Sequence, residues 1–227
     1  MTYETPKAVT FDCYGTLIRF FEGLETVARA IVDRHGGTLT SEQLIAAYSD
    51  AEHRLEQEPP HRPFKEVSPA AMREAFGTLG LTLGPGEEMS LVEAIPTFGP
   101  FEEVPAVLER LGRSCRLCII SNTDDDLIAG NVARLGVPID EVVTAEQAGA
   151  YKPSEEIFRY AHRRLGLEVD DIVHVAQGQR LDIAACKALG LRAIWINRYG
   201  EPGVPANAPY EELRDLRGVP ALLGLEG

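Results

Sequence analysis

The chain has 227 residues, of which 44% are hydrophobic and 25% are charged, and its formal net charge at pH 7 is −13. These values are ordinary for a soluble globular protein and exclude collagen, a coiled coil and wholesale disorder. An acidic surface repels phosphate backbones and anionic lipid, so we expect no nucleic acid and no membrane as partner. Because the N-terminus lacks the pattern of a signal peptide, we expect a cytoplasmic protein with reduced thiols.

The first predicted strand is followed by a long helical segment. An apolar run at residues 8–11 predicts the strand and ends directly before Asp12. From about residue 19 to residue 96 the apolar residues recur at helical spacing, and no convincing strand is visible. Ser41 is the predicted N-cap of the second helix in this segment, and Ser68 with Pro69 is the predicted start of the third.

After residue 96, strands and helices alternate. Apolar runs predict strands at residues 116–120, 172–176 and 192–196, with a weaker one at residues 142–143. Amphipathic stripes fill the intervals, and a short helix is expected near the C-terminus. This alternation predicts an α/β fold with a Rossmann-like, doubly wound parallel sheet. We assign residues 1–18 and 96–227 to this core and residues 19–95 to an inserted helical domain.

Polar side chains follow the predicted strands where each strand ends. Asp12 follows the first strand, Ser121 follows the second, and Asp182 lies shortly after the strand at residues 172–176. Ligands of doubly wound sheets bind at these carboxyl ends. Lys152 lies in a loop, and a lysine beside an aspartate keeps the aspartate ionised and attracts anions. We therefore expect these side chains to converge, with the Asp12 carboxylate within roughly 8 Å of the Lys152 ammonium.

The same segments carry a family resemblance. Residues 11–17, FDCYGTL, resemble the first motif of the haloacid dehalogenase superfamily. Residues 120–122 resemble its second motif, residues 151–153 its third, and residues 175–182 occupy its fourth. The helical insert resembles the α-helical cap domain of that family. The resemblance implies that Asp12 attacks the substrate and that water hydrolyses the covalent aspartyl intermediate.

Two positions bear on the branch of the superfamily. Phosphatase members usually have a second aspartate where this chain has Tyr14, and an acidic residue where it has Gln177. The first motif resembles instead that of L-2-haloacid dehalogenases, which expel halide and need no metal. The resemblance thus implies halide release from a small haloacid, with no cofactor. Two alternatives stay open: a phosphatase of a small phosphoester with Mg²⁺ at Asp12 and Asp182, and a catalytically silent member that binds a metabolite.

The resemblance also implies roles for single residues. Catalytic roles fall to Asp12, Thr16, Ser121, Lys152 and Asp182. Substrate contacts are expected at Tyr14, Asn122, Phe158 and Gln177. Lys152 and Asp182 would assist the nucleophile or the hydrolytic water, and Thr16 or Ser121 can donate to developing negative charge. Ser121 and Asp182 also stand where helix caps occur, and Phe158 has the spacing of a core residue.

The residues expected to recognise the substrate differ from those of the dehalogenase branch. The cap helix of that branch carries an arginine thought to bind the halide, and residues 44–50 contain none. Arg54 is the nearest candidate, and Arg19 at the cap hinge is the other. We expect a small anionic substrate, for which the site must supply its own positive potential. The sequence leaves open whether the chain forms a homodimer.

Overall fold

A computed structural model describes residues 5–36 and 39–225. The strands are β1 (Ala8–Phe11), β2 (Arg116–Ser121), β3 (Glu141–Thr144), β4 (Ile172–Ala176), β5 (Arg192–Ile196) and β6 (Glu211–Leu213). All six are parallel and form one sheet in the order β3-β2-β1-β4-β5-β6. Phe11 of β1 is in register with Ile119 on one side and Val175 on the other. The carboxyl ends of β1, β2 and β4 therefore lie side by side.

Ten α-helices accompany the sheet in the described part of the chain. Four follow β1: α1 (Phe20–His35), α2 (Ser41–Glu56), α3 (Phe64–Thr78) and α4 (Ser90–Ala94). Six belong to the core: α5 (Val104–Leu111), α6 (Asp125–Leu135), α7 (Ala145–Ala148), α8 (Glu155–Leu165), α9 (Ala184–Leu189) and α10 (Val219–Leu222). A π-helical turn, Gln179–Ile183, precedes α9. The predicted α/β core with an inserted helical cap is confirmed. The exact limits at residues 18 and 96 stay a prediction, and residues 1–4 and 226–227 of the assigned core lie outside the described residues.

Both faces of the sheet are covered, which explains the continuous apolar runs of its strands. Successive β1 residues point to opposite faces, so Val9 and Phe11 enter the cluster that contains Val104 of α5. Ala8 enters the other cluster, which also contains Phe158 of α8 and the apolar interior of the cap. A single apolar cluster therefore extends from this face of the sheet into the cap.

The starts of α2 and α3 differ from the prediction. Thr40, not Ser41, caps α2, because its side chain accepts from the Gln43 N–H while the Gln43 side chain accepts from the Thr40 N–H. α3 begins at Phe64, and Ser68 and Pro69 lie inside it. α3 begins there because Asp124, in the core, accepts hydrogen bonds from the N–H groups of Phe64 and Lys65.

The helices of the described ranges are those of a globular protein. α1 and α2, the longest in the described ranges, have 16 residues each and bury only one face. None of the helices in residues 5–36 and 39–225 combines the length and the apolar content that a membrane span requires.

Candidate active site

A cavity of 140 Å³ lies between the cap and the carboxyl end of the sheet. The core contributes Asp12, Ser121, Asn122, Lys152, Gln177 and Asp182 to its lining. Asp12 directly follows β1, Ser121 is the last residue of β2, and Asp182 lies in the π-helical turn after β4. Lys152 comes from the loop between α7 and α8. The structure thus brings together the polar residues that the strand-end argument selected.

Asp12 is held at both carboxylate oxygens. Its Oδ1 accepts a hydrogen bond from Lys152 Nζ at 2.7 Å, and its Oδ2 accepts one from Thr16 Oγ1 at 2.6 Å. The distance to Lys152 is well inside the predicted limit. Burial raises the pKa of the Asp12 carboxyl above its ordinary value, and the Lys152 ammonium opposes that rise. Lys152 therefore keeps a buried carboxylate available in its charged form.

Lys152 joins Asp12 to a second carboxylate. Its Nζ also donates to Asp182 Oδ1 at 2.7 Å, and its side chain is only 1% exposed. Burial alone would lower the pKa of Lys152, but the two carboxylates outweigh it and raise the pKa above the ordinary lysine value. For Asp182, burial would raise the pKa, but the Lys152 ammonium and His174 together outweigh burial and lower it. The ammonium is thus retained across the physiological pH range.

His174, inside the apolar run of β4, extends this network. Its Nε2 lies 3.0 Å from Asp182 Oδ1, and its Nδ1 lies 2.8 Å from Thr10 Oγ1. The carboxylate is an acceptor, so Nε2 carries a proton. His174 is the middle residue of β4. Its contact with Asp182 depends on the conformation of the turn that follows this strand. A pattern of alternating strand residues contains no signal for this contact.

Thr16 holds Asp12 and does not line the cavity. Its hydroxyl donates to Asp12 Oδ2 and accepts from the backbone N–H of Gln177 at 2.9 Å. The Thr16 side chain is fully buried. The Thr16 hydroxyl uses its proton to orient Asp12. The structure therefore gives no support to the expected hydrogen bond from Thr16 to negative charge on the substrate.

Ser121 and Asn122 have different roles in the lining. Ser121 Oγ is buried and has no hydrogen-bond partner among the described residues, so it does not cap a helix. A buried hydroxyl without a partner is costly, and a bound ligand would satisfy it. Asn122 Oδ1 accepts from the Lys152 N–H at 2.7 Å, and its Nδ2 lies 3.3 Å from the Lys152 carbonyl. Asn122 therefore positions the lysine loop.

The remaining predicted contact residues divide between the lining and the core. Tyr14 and Gln177 line the cavity, although the Tyr14 hydroxyl donates to Asn131 Oδ1 at 3.1 Å. Phe158 is fully buried, and its ring lies 5.3 Å from that of His174. It does not border the cavity, so the expected substrate contact at Phe158 is corrected to a core position.

The cap side of the cavity is acidic. From α2 come Ser49, Glu52, His53 and Glu56. Arg54 instead faces outward and forms ion pairs with Glu58 and Glu74. Arg19 is exposed and does not border the cavity. Neither of the two candidate arginines therefore replaces the cap arginine of the dehalogenase branch.

Asp124 joins the cap to the core next to this cavity. Its Oδ1 accepts from the Phe64 N–H and its Oδ2 from the Lys65 N–H, each at 2.8 Å. Asp124 precedes α6 but makes no side-chain cap bond to that helix. A core carboxylate thus caps α3, which explains why the helix begins before Ser68.

The donors around Asp12 and Asp182 do not fit a resident Mg²⁺. The Lys152 ammonium lies between the two carboxylates, 2.7 Å from one oxygen of each. Asp182 Oδ1 is also engaged by His174. The residue five positions before Asp182 is Gln177, so the charge of a third carboxylate is missing, and Mg²⁺ favours carboxylate oxygens.

Comparison with known proteins identifies the family. The model of the haloacid dehalogenase-like hydrolases matches residues 6–190. This chain therefore belongs to the haloacid dehalogenase-like hydrolase family.

Relatives with dehalogenase activity cover most of the chain. Haloacetate dehalogenase H-2 from Moraxella sp. (strain B) is 27% identical over 202 residues, which span 86% of this chain and 87% of the relative. The (S)-2-haloacid dehalogenase from Pseudomonas sp. (strain YL) is 27% identical over 199 residues, which span 86% of this chain and 84% of the relative. The structure of L-2-haloacid dehalogenase from Xanthobacter autotrophicus with covalently bound chloropropionic acid is 20% identical, with a TM-score of 0.80 and coverage of 96% and 98%. That structure shares the fold.

Proposed function

We propose that the chain is a hydrolase of the 2-haloacid dehalogenase type, in which Asp12 is the nucleophile. The observation that carries the proposal is the Asp12 carboxylate on the cavity wall, with Lys152 Nζ 2.7 Å from its Oδ1. This contact keeps a desolvated carboxylate ionised, as nucleophilic attack requires. The distant similarity to the Moraxella and Pseudomonas dehalogenases supports the same reaction.

In the first step, an Asp12 oxygen attacks the carbon that bears the halogen. The new C–O bond forms as the carbon–halogen bond breaks, and the halide leaves with the bonding electron pair. A leaving halide needs no proton. The reaction therefore does not require the second aspartate of the phosphatases, whose position Tyr14 occupies. The unpartnered Ser121 hydroxyl, which lines the cavity, can donate a hydrogen bond to the halide or to the substrate carboxylate.

In the second step, water attacks Cγ of the Asp12 ester. Attack through Oδ2 in the first step leaves Oδ1 as the carbonyl oxygen, 2.7 Å from Lys152 Nζ. The ammonium then stabilises the negative charge that develops on this oxygen. Asp182 lines the same cavity and takes the proton of the water. The ester bond breaks, and Asp182 passes its proton to the leaving alkoxide. The hydroxy acid leaves, and Asp12 loses the second proton of the water to solvent and returns to its carboxylate form.

The test is halide release from chloro-, bromo- and fluoroacetate and from 2-chloropropionate, with and without EDTA. We expect release that survives chelation. Asp12→Asn cannot form the ester, so its turnover should fall by several orders of magnitude with an unchanged unfolding curve. Asp33→Asn, at an exposed aspartate of α1, is the matched control and should keep wild-type turnover.

Isotope labelling tests the covalent step directly. A single turnover in H₂¹⁸O should place the label in Asp12 and not in the product, because water attacks the aspartyl Cγ. Label in the product alone would refute the proposal. Phosphate release that requires Mg²⁺ would favour the phosphatase alternative. If the wild type and Asp12→Asn were equally inactive on the haloacids and on small phosphoesters, the silent metabolite-binding alternative would be favoured.

A further inference from the structure

Two carboxyl groups of the cap face the cavity without a counter-charge. Glu52 and Glu56 are four residues apart on α2, so their side chains share one face of the helix, and both line the cavity. Glu52 Oε1 accepts from the Tyr48 hydroxyl at 2.9 Å, and Glu56 Oε2 accepts from Asn122 Nδ2 at 3.3 Å. Among the described residues, neither carboxyl forms an ion pair.

The other charged groups around the cavity do not compensate this pair. Lys152 is the cation of the lining, and it is committed to Asp12 and Asp182. Arg180 is exposed and outside the lining. Burial, followed by the charge of Arg180, lowers the pKa of His53, so this imidazole is neutral at pH 7.

Burial also acts on the two glutamates themselves. It raises the pKa of Glu52 to about 7. Burial and the neighbouring Glu52 raise the pKa of Glu56 well above its ordinary range, although Asn122, Lys152 and Arg180 oppose that rise. A cationic group at this wall would favour the ionised form of both carboxyls and form ion pairs with them, whereas an anionic group would gain no ion pair there.

The core side of the cavity has a different polar group. Ser121 Oγ is fully buried, lines the cavity and has no partner in the described part of the chain, so it is suited to a ligand acceptor atom such as a carboxylate oxygen. Phe20, Leu24 and Leu181 add apolar surface to the lining. The cavity therefore favours a ligand with an acceptor on its core side and a positive charge on its cap side.

We propose that Glu52 and Glu56 bind a cationic nitrogen at the cap-facing end of the substrate, so that the substrate is a haloacid with a basic group at its far end. The haloacid part of this inference rests on the proposed function. Binding brings an ammonium group against the pair, and a protonated carboxyl loses its proton to solvent as the ion pair forms. The halogen-bearing carbon lies at Asp12.

The turnover test compares two substrates of nearly equal shape. In 4-amino-2-chlorobutanoate an ammonium group takes the place of the terminal methyl group of 2-chloropentanoate. We expect the wild type to prefer the amino substrate at least about tenfold in kcat/KM, equivalent to about 1.4 kcal/mol. The double variant Glu52→Gln/Glu56→Gln should bring this ratio close to one. Glu58→Gln, at an exposed glutamate just after α2, should keep the wild-type ratio.

A binding test decides the inference without turnover. Butylammonium and butyrate are titrated calorimetrically at about pH 6.5 in two buffers with different heats of ionisation, which reports proton release. Butylammonium should bind the wild type at least about tenfold more tightly than butyrate and release protons. Both effects should disappear in the double variant.

The outcomes separate the two proposals. Butyrate binding at least as tightly as butylammonium, or an unchanged preference in the double variant, would overturn the cationic subsite. Absence of halide release from every substrate would overturn the proposed function, while the binding result would still decide the role of the glutamates. A wild-type preference for 2-chloropentanoate would also count against the cationic subsite.

Discussion

Replacing Lys152 with Met removes the one charge shared by Asp12 and Asp182 and keeps a side chain of similar length. In the wild type the ammonium lies 2.7 Å from Oδ1 of each carboxylate. At an effective dielectric constant of about 20, each contact corresponds to about 6 kcal/mol of Coulomb energy. Measured costs of breaking buried pairs are lower, about 3–5 kcal/mol. The variant leaves two buried like charges, so the pKa of Asp12 rises further.

The activity of the variant should depend on pH in a characteristic way. In the proposed mechanism only ionised Asp12 attacks, so below the pKa of Asp12 the rate should fall tenfold for each pH unit. We expect Lys152→Met to lose at least about 100-fold in kcat at pH 7 and to regain about tenfold per pH unit up to about pH 9. The measurement is kcat across this range for both proteins.

The free energy of unfolding of the variant should fall with rising pH, whereas its kcat should rise. A carboxyl whose pKa in the folded state lies above its unfolded value of 3.8 makes the folded protein bind protons more tightly than the unfolded chain. The folded state is therefore favoured at low pH and loses stability as the pH rises through the folded-state pKa. Urea unfolding at each pH should show the free energy of unfolding falling while kcat recovers.

The matched control is Lys7→Met, which removes an exposed ammonium 3.0 Å from Asp171. It should change neither the pH profile nor, by more than about 1 kcal/mol, the free energy of unfolding. If Lys152→Met lost activity at every pH without alkaline recovery, Lys152 would act by positioning the substrate or by stabilising charge in the hydrolytic step, and not by keeping Asp12 ionised.

Two further substitutions test the support of the site and of the cap. Thr16→Val removes the 2.6 Å bond to Asp12 Oδ2, and we expect kcat to fall about 10- to 100-fold with little change in KM; an unchanged kcat would show that the bond does not orient the nucleophile. Burial would raise the pKa of Glu87, but hydrogen bonds from His35 and Arg34 help lower it to about 2. The stabilisation by Glu87 is present above its unfolded pKa of 4.5 and is lost as the pH falls toward 2. With solvent screening of these contacts, Glu87→Gln should lower the free energy of unfolding by about 1–2 kcal/mol at pH 7 in urea and by almost nothing near pH 2.

The parallel sheet explains why much of the site was predictable from the sequence. The strands at residues 8–11, 172–176 and 192–196 are confirmed, and those at 116–120 and 142–143 extend slightly further. Parallel strands place their carboxyl ends at one edge, so residues that follow different strands become neighbours. Asp12 and Asp182 meet at Lys152 for this reason.

Elements that depend on distant partners were not predictable in this way. β6 contains Glu211 and Glu212 within three residues, a composition unlike that of a strand, and it forms because β5 offers an unpaired edge. α3 begins at Phe64 because Asp124, sixty residues later in the chain, accepts from its first N–H groups. Local cap patterns contain no information about such a contact.

The acidic cap wall was missed for a geometric reason. Periodicity identifies the side of α2 that is buried inside the cap through Leu44 and Tyr48. Glu52 and Glu56 lie on the neighbouring face of α2. Whether this face is exposed to solvent or lines the cavity depends on how the cap packs against the core. Their four-residue spacing was visible in the sequence, but the same spacing occurs on solvated helices.

The double bond from Asp124 to α3 also bears on how the cavity exchanges its contents. Asp124 is fully buried, so a movement that lifts the start of α3 away breaks two charge-assisted bonds and leaves a carboxylate without donors. Each such bond contributes roughly 1.5–3 kcal/mol. An opened conformation of this kind would be populated in roughly one molecule in 150 to one in 25,000. Product departure through that side would then be infrequent, and the residence time of the product would depend on a residue that never contacts it.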